Sequence, residues 1–360
     1  MRWLAVLVVF AACGLYAEAN CPCGRCNDIT CVNARLKGQV LDFTANHGCD
    51  KRIWSPALCQ KRDLYVYVPP GFDAKKAYPL VTILHGATQD EQFFLQNLAE
   101  RFDQAIVAGK LPPVIIAAPD GSLQGRPSLL RSASFFVNGV SGNFEDYLQQ
   151  DVWKFVTETF PIRPERDAHA LMGISAGGTG AFGQAIKYKD RYKVVIGIMP
   201  AVNLRWVDCR GHYRSKFDPN NWGWRNQLKP LEVVANFGVL QKVHAGQMYR
   251  PVVGNGADAI AMMSCINPIE ILDRSDLKDG ELSMYIAYAA CDEFNIDTQV
   301  ESFLFRARQR GLKVTTDLDP FGRHNEETGI RMMPKILDWV APQVPPAIPL
   351  LPAPQVGKAS

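Results

Sequence analysis

Apolar residues dominate short runs at 80–84, 114–118, 168–174, 194–199 and 282–290, interrupted only by single residues such as Thr82, His169 and Ser283, and each closed within two residues by Gly, Pro, Ser or Asp. Continuous runs of this length predict strands buried on both faces, as in a parallel sheet. Residues 64–68 read as an earlier strand ending at Pro69-Pro70-Gly71, and 312–318 as the last strand. Between the strands the spacing turns helical. After Gly142-Asn143, the residues Phe144, Leu148, Val152, Phe155 and Val156 share one face, with Asn143 as the natural N-cap. Ile330, Met333, Ile336, Leu337 and Val340 do the same near the end, where Pro334 either sits in the first turn or kinks the helix. Strands alternating with helices predict an α/β fold with a mostly parallel central sheet covered on both faces. The stretch 204–280 departs from this pattern, predicting a cap-like insertion before strand 282–290. Its Trp206, Tyr213, Trp222, Trp224, Phe237 and Tyr249 either line a pocket or form the core of a small subdomain. A proline-rich tail, 343–360, is expected to be disordered or to lie on the surface.

Candidate chemistry begins where run 168–174 meets Gly173-Ile174-Ser175-Ala176-Gly177 and the small residues after it. Strand, sharp turn and helix in that order push the hydroxyl of Ser175 into a cleft, which makes it a nucleophile candidate. A serine needs a histidine to take its proton and a carboxylate to orient that histidine. Only His212, His244 and His324 follow Ser175. His324 lies between the last strand and the last helix and is the expected base, whereas His212 and His244 fall in polar, aromatic surroundings that suit a solvated or structural role. Asp292, at the carboxyl end of strand 282–290, is the expected acid, with Glu293, Asp297 and Asp319 as competitors. Neighbouring Cys291 reads as a small buried filler. The backbone N–H of Ala176 and that of Ala87, after the strand-to-turn sequence Leu84-His85-Gly86, are the expected oxyanion donors. His85 is expected to order its loop.

These segments together resemble the putative-esterase family of α/β-hydrolases, which includes esterase D, feruloyl and acetylxylan esterases and the mycolyltransferases. The resemblance spans about 62–342 and rests on Tyr65-Val66-Tyr67-Val68-Pro69-Pro70-Gly71-Phe72, Leu84-His85-Gly86, Phe144-Glu145-Asp146-Tyr147-Leu148, Gly173-Ile174-Ser175-Ala176-Gly177-Gly178, Asp292-Glu293-Phe294 and Gly322-Arg323-His324. It implies an α/β-hydrolase fold, Ser175, Asp292 and His324 as a triad, and Ala87 and Ala176 as the oxyanion hole. Ala176 replaces the family's usual methionine without altering the backbone donor. The resemblance gives the reaction and leaves the substrate open.

With 360 residues, 47% hydrophobic and 21% charged, the chain suits one catalytic domain with decorations, and a net charge of +3 without a basic stripe argues against nucleic-acid partners. Residues 1–19 read as an export signal ending at Ala17-Glu18-Ala19, too short in its apolar part to span a bilayer. Lipidation at Cys13 is the only membrane attachment the sequence suggests. In the segment 20–61, Cys21, Cys23, Cys26, Cys31, Cys49 and Cys59 are expected to form disulfides, with a zinc or iron–sulfur site as the alternative, and Cys209 and Cys265 are a further candidate pair. The expectation is a secreted or periplasmic serine carboxylesterase needing no cofactor or metal. Feruloyl or acetyl esters of polysaccharides are its expected substrates, with acyl transfer to a sugar alcohol or a catalytically silent binding module as alternatives.

Overall fold

The computed structural model describes residues 28–126, 134–237 and 241–350. The expected export signal and Cys13, Cys21, Cys23 and Cys26 lie outside them. Eight strands form the central sheet: β1 (Gln39–Phe43), β2 (Leu64–Val68), β3 (Leu80–Leu84), β4 (Ile115–Pro119), β5 (His169–Ile174), β6 (Val194–Ile198), β7 (Ser283–Ala289) and β8 (Thr315–Asp319). Their spatial order is β1-β2-β4-β3-β5-β6-β7-β8. β2 runs antiparallel to both neighbours, and β4 through β8 are mutually parallel. This is the α/β-hydrolase fold. The continuous apolar runs follow from it, because β2, β3, β4 and β6 are buried along their whole length, with layers covering both faces. β1 comes from the cysteine-rich segment, so the sheet starts ahead of Arg62.

Helices Leu98–Val107 (α1), Trp153–Thr159 (α2), Ala176–Lys187 (α3), Ile296–Gln309 (α4) and Glu326–Val340 (α5) flank the sheet. α3 is buried from Ala176 to Ile186, which explains its glycines and alanines: it lies close against β5 and β6. The helical stretch that starts at Phe144 differs from the sequence expectation. Asn143 makes no side-chain cap; instead Asn138 Oδ1 accepts the N–H groups of Glu145 and Asp146, at 3.0 and 3.2 Å. The helical stretch then passes through a π turn at Tyr147–Val152 before α2. α5 starts at Glu326, capped by Asn325 Oδ1 from the Thr328 N–H, so Pro334 lies well inside the helix.

Between β6 and β7, residues 204–280 form two short strand pairs and three helices, Ala245–Val253, Ala259–Ile266 and Pro268–Arg274. Their aromatics divide. Trp206, Trp222 and Trp224 pack with Phe217 and Phe305 against the main core, while Tyr213, Phe237 and Tyr249 face the main cavity. After α5 the chain runs over the surface, with Ile348–Pro349 paired to Lys76–Ala77.

Cys49, Cys59, Cys209, Cys265 and Cys291 are free, exposed thiols. The Cys209–Cys265 bridge is thus absent, and Cys291 is at the surface rather than a buried filler: the chain turns outward one residue after β7 ends, before Asp292 turns back in. No helix among the described residues is long and apolar enough to cross a membrane.

Candidate active site

Ser175 sits at the bend between β5 and α3 with φ 53° and ψ −115°, a left-handed conformation that costs a non-glycine residue of order 1–3 kcal/mol. The surrounding backbone holds it there. Its N–H donates to Ile198 O at 3.0 Å, and its carbonyl accepts the N–H groups of Gly178 and Ala201, each at 3.0 Å. The flanking glycines are required by close approach: a Cβ on Gly173 would lie 2.2 Å from Gly177 O, and one on Gly177 would lie 2.3 Å from Leu84 O. Both neighbours are backbone atoms that cannot step aside, which explains the spacing of the two glycines about the serine.

The structure brings Ser175, His324 and Asp292 together. His324 Nδ1 lies 2.7 Å from Asp292 Oδ2, and its Nε2 lies 2.9 Å from Ser175 Oγ. With Nδ1–H donating to the carboxylate, Nε2 is free to accept the serine proton. Asp292 has no exposed side-chain surface, and its Oδ1 accepts the Phe294 N–H at 2.8 Å, so the carboxylate is fixed at both oxygens. Burial would lower the His324 pKa, but the charge and hydrogen bond of Asp292, with Glu293 adding to them, raise it above its ordinary value. The Phe294 ring packs 4.8 Å from the imidazole.

The competing carboxylates have other partners. Glu293 accepts the backbone N–H of His324, Asp319 pairs with Arg331 at 2.6 Å, and burial pushes Asp297 up to about 6. His212 is exposed beside Asp208, and His244 caps helix Ala245–Val253.

Ala87 and Ala176 line the same cavity as Ser175. Ala176 opens α3, where the helix dipole favours negative charge. Ala87 is held through His85, which is fully buried. Its Nε2 accepts the Gly121 N–H at 2.8 Å, so Nδ1 carries the proton and donates to Gly86 O, also at 2.8 Å. His85 therefore ties the Ala87 loop to the end of β4.

Behind that loop lies a buried ionic cluster that the sequence reading missed. Arg62 Nη2 pairs with Asp120 Oδ2 at 2.7 Å, with neither side chain more than 1% exposed. Asp63, Glu91 and Asp120 offer oxygens within 4.8 Å of one another, the grouping among the described residues best spaced to share a cation. Arg62 already supplies a positive charge there. Burial and the neighbouring carboxylates push Glu91 up to about 9, so it holds a proton at neutral pH. The cluster sits against His85, whose Nε2 lies 3.7 Å from Asp120 Oδ1.

The cavity over Ser175 has a volume of about 670 Å³ and mostly apolar walls. Leu98, Met199, Ile330 and Met333 line it from the sheet and its flanking helices; Val234, Phe237, Met248 and Tyr249 line it from the 204–280 region. Lys242 and Glu326 are the only lysine, arginine, aspartate or glutamate among its described lining residues.

Solved structures share this architecture. A ferulic acid esterase superposes with a TM-score of 0.62 at 16% identity, covering 86% of this chain and 100% of its own. An S-formylglutathione hydrolase from Agrobacterium tumefaciens gives a TM-score of 0.60 at 16% identity, covering 86% and 97%. At such identities the likeness establishes the fold. Among curated relatives, Esterase Rv1288 of Mycobacterium tuberculosis is 29% identical over 160 residues, which is 43% of this chain and 33% of that protein. The match spans about a third of the length of that relative. The family model described as Putative esterase matches residues 55–259, more than half of the chain. The chain therefore belongs to the putative-esterase family.

Proposed function

We propose that this protein is a serine carboxylesterase that works through an acyl-enzyme. The observation that carries the reading is the continuous hydrogen-bonded chain from Asp292 through His324 to Ser175, opening into an apolar cavity. In this mechanism His324 Nε2 takes the Ser175 proton as Oγ adds to the ester carbonyl, and Asp292 stabilises the imidazolium that forms. The oxyanion points at the N–H groups of Ala87 and Ala176. Collapse breaks the bond to the alcohol oxygen, which leaves with the proton from His324. Water, deprotonated by the same nitrogen, then attacks the acyl carbonyl, and the acid departs as Oγ regains its proton.

The cavity walls favour an uncharged apolar acyl group, and a feruloyl-type aromatic acid of a polysaccharide ester suits its aromatic lining and leaves room for part of the alcohol side. An acetyl group would leave the apolar walls largely uncontacted. Export through residues 1–19 belongs to the same proposal and suits a polymer substrate. An ester panel varying acyl group and alcohol independently tests it: aryl and medium alkyl acyl esters should exceed acetyl in kcat/KM, and water should be the acceptor even with added sugar alcohol. Preference for acetyl, or acyl transfer to the sugar, would overturn the substrate reading.

A pH dependence follows from the raised His324 pKa. Only the neutral imidazole accepts the serine proton, so kcat/KM should climb with pH along an acid limb centred above about 6.5, the ordinary histidine value. A limb centred below that value would contradict the arrangement.

A further inference from the structure

Glu293, the residue after Asp292, is only 7% exposed, and both its oxygens are spent on the loop that carries His324. Oε2 accepts the His324 backbone N–H at 2.8 Å, and Oε1 accepts Nε–H of Arg323 at 2.6 Å. Burial would raise its carboxyl, but these donors hold it below its ordinary value, so it is ionised at neutral pH. The same short segment is fastened from its other side. Arg214 donates to Glu293 O at 3.0 Å, the Tyr213 hydroxyl donates to Phe294 O, and Asn295 Nδ2 donates to Tyr213 O at 2.8 Å. Residues 292–295 thus join the histidine loop to the 204–280 region. The histidine loop needs such a hold, since it follows the mostly exposed edge strand β8 and carries Phe321 at 87% exposure.

We propose that Glu293 is a positioning residue for His324, gripping the backbone of the base while Asp292 grips its Nδ1 and placing a second negative charge beside the imidazole. The inference rests on the reading of His324 as the general base. Other charged groups around the pair are Arg323 on the same loop, Glu326 at the start of α5, Lys242 on the strand Gln241–His244 and Arg214 in the 204–280 region. Asp297 of α4 lies near enough to Asp292 for the Asp292 charge to raise its carboxyl. Asp292 and Glu293 are the two that favour the protonated imidazole.

The test is kcat/KM and kcat against pH on a p-nitrophenyl ester for wild type, Glu293→Gln and Glu293→Asp. Glu293→Gln should lose about tenfold or more in kcat with KM little changed, as expected when a base is misaligned. Its acid limb should move to lower pH by about half a unit or more, because removing a nearby anion disfavours the imidazolium. Glu293→Asp keeps the charge and shortens the reach, so its limb should stay near that of wild type while kcat still falls. A limb for Glu293→Gln that coincides with wild type, or wild-type kcat in both variants, would overturn the proposal. If Glu293→Gln does not fold, Glu293→Asp decides alone: wild-type kcat overturns the role. An inactive wild-type enzyme would instead sink the esterase reading itself, and the positioning role with it.

Discussion

Asp292→Asn is expected to lower kcat by about four orders of magnitude while leaving the fold intact. The carboxylate fixes which imidazole nitrogen bears the proton. With Oδ2 2.7 Å from Nδ1, an ionised acid accepts Nδ1–H and leaves Nε2 bare toward Ser175 Oγ at 2.9 Å. An asparagine can turn its amide N–H₂ toward Nδ1, which shifts the proton to Nε2, where it faces the serine and cannot accept from it. The loss of charge also removes the stabilisation of the imidazolium. Asp297→Asn is the matched control: it removes a carboxylate from the same neighbourhood without touching the imidazole, and turnover should stay near wild type. Reversal of these two outcomes, measured by steady-state kinetics on a p-nitrophenyl ester, would move the acid role to Asp297.

The second large effect concerns stability. Arg62→Ala should lower the free energy of unfolding by about 3–5 kcal/mol, read from denaturant curves. Burial by itself would raise the Asp120 carboxyl; Arg62 foremost, with the Ser122 N–H, holds it below its ordinary value. Without the guanidinium, a fully buried carboxylate would be left beside Asp63 and Glu91 with no compensating charge. Arg62 also stacks over Phe144 and donates to Ser122 O, so its removal opens a cavity as well. Lys313, whose side chain is 91% exposed beside Asp279, supplies the contrast, and Lys313→Ala should leave stability unchanged. Equal effects from the two variants would contradict a structural role for the buried pair. Because Asp120 lies 3.7 Å from His85, which holds Gly86, the Arg62 variant should also lose turnover.

The central strands and the serine turn were legible because each is a local signal. A strand buried on both faces must be a continuous apolar run, and the bend at Ser175 demands glycines wherever a Cβ would strike backbone. The ordering of Ser175, Asp292 and His324 could be assigned to strand ends without knowing any distance. What escaped depends on pairing between distant segments. β1 is a short strand, Gln39–Phe43, with three half-buried residues, and only its register against β2 gives it a place in the sheet. Arg62 and Asp120 look like ordinary charged residues flanking β2 and β4. They meet because those strands are antiparallel, with Leu64 opposite Pro119. Asn138 replaces Asn143 as the cap because residues 138–139 fold back onto 142–143. In the 204–280 region, the sequence left open whether the aromatics face a pocket or a core, and both occur: the tryptophans of the pair 206–208/222–224 pack together, while Tyr213, Phe237 and Tyr249 line the cavity. Glu293 was weighed only as a rival acid; its contact with a backbone N–H on another loop leaves no mark in the sequence.

Every catalytic step proposed for this protein depends on Ser175 being a nucleophile activated by His324. Incubation with a fluorophosphonate, followed by peptide mass analysis, tests it most directly. A single adduct is expected on Ser175, abolished in Ser175→Ala and strongly slowed in His324→Ala. Labelling at another residue, or none on the folded wild-type protein, would contradict it.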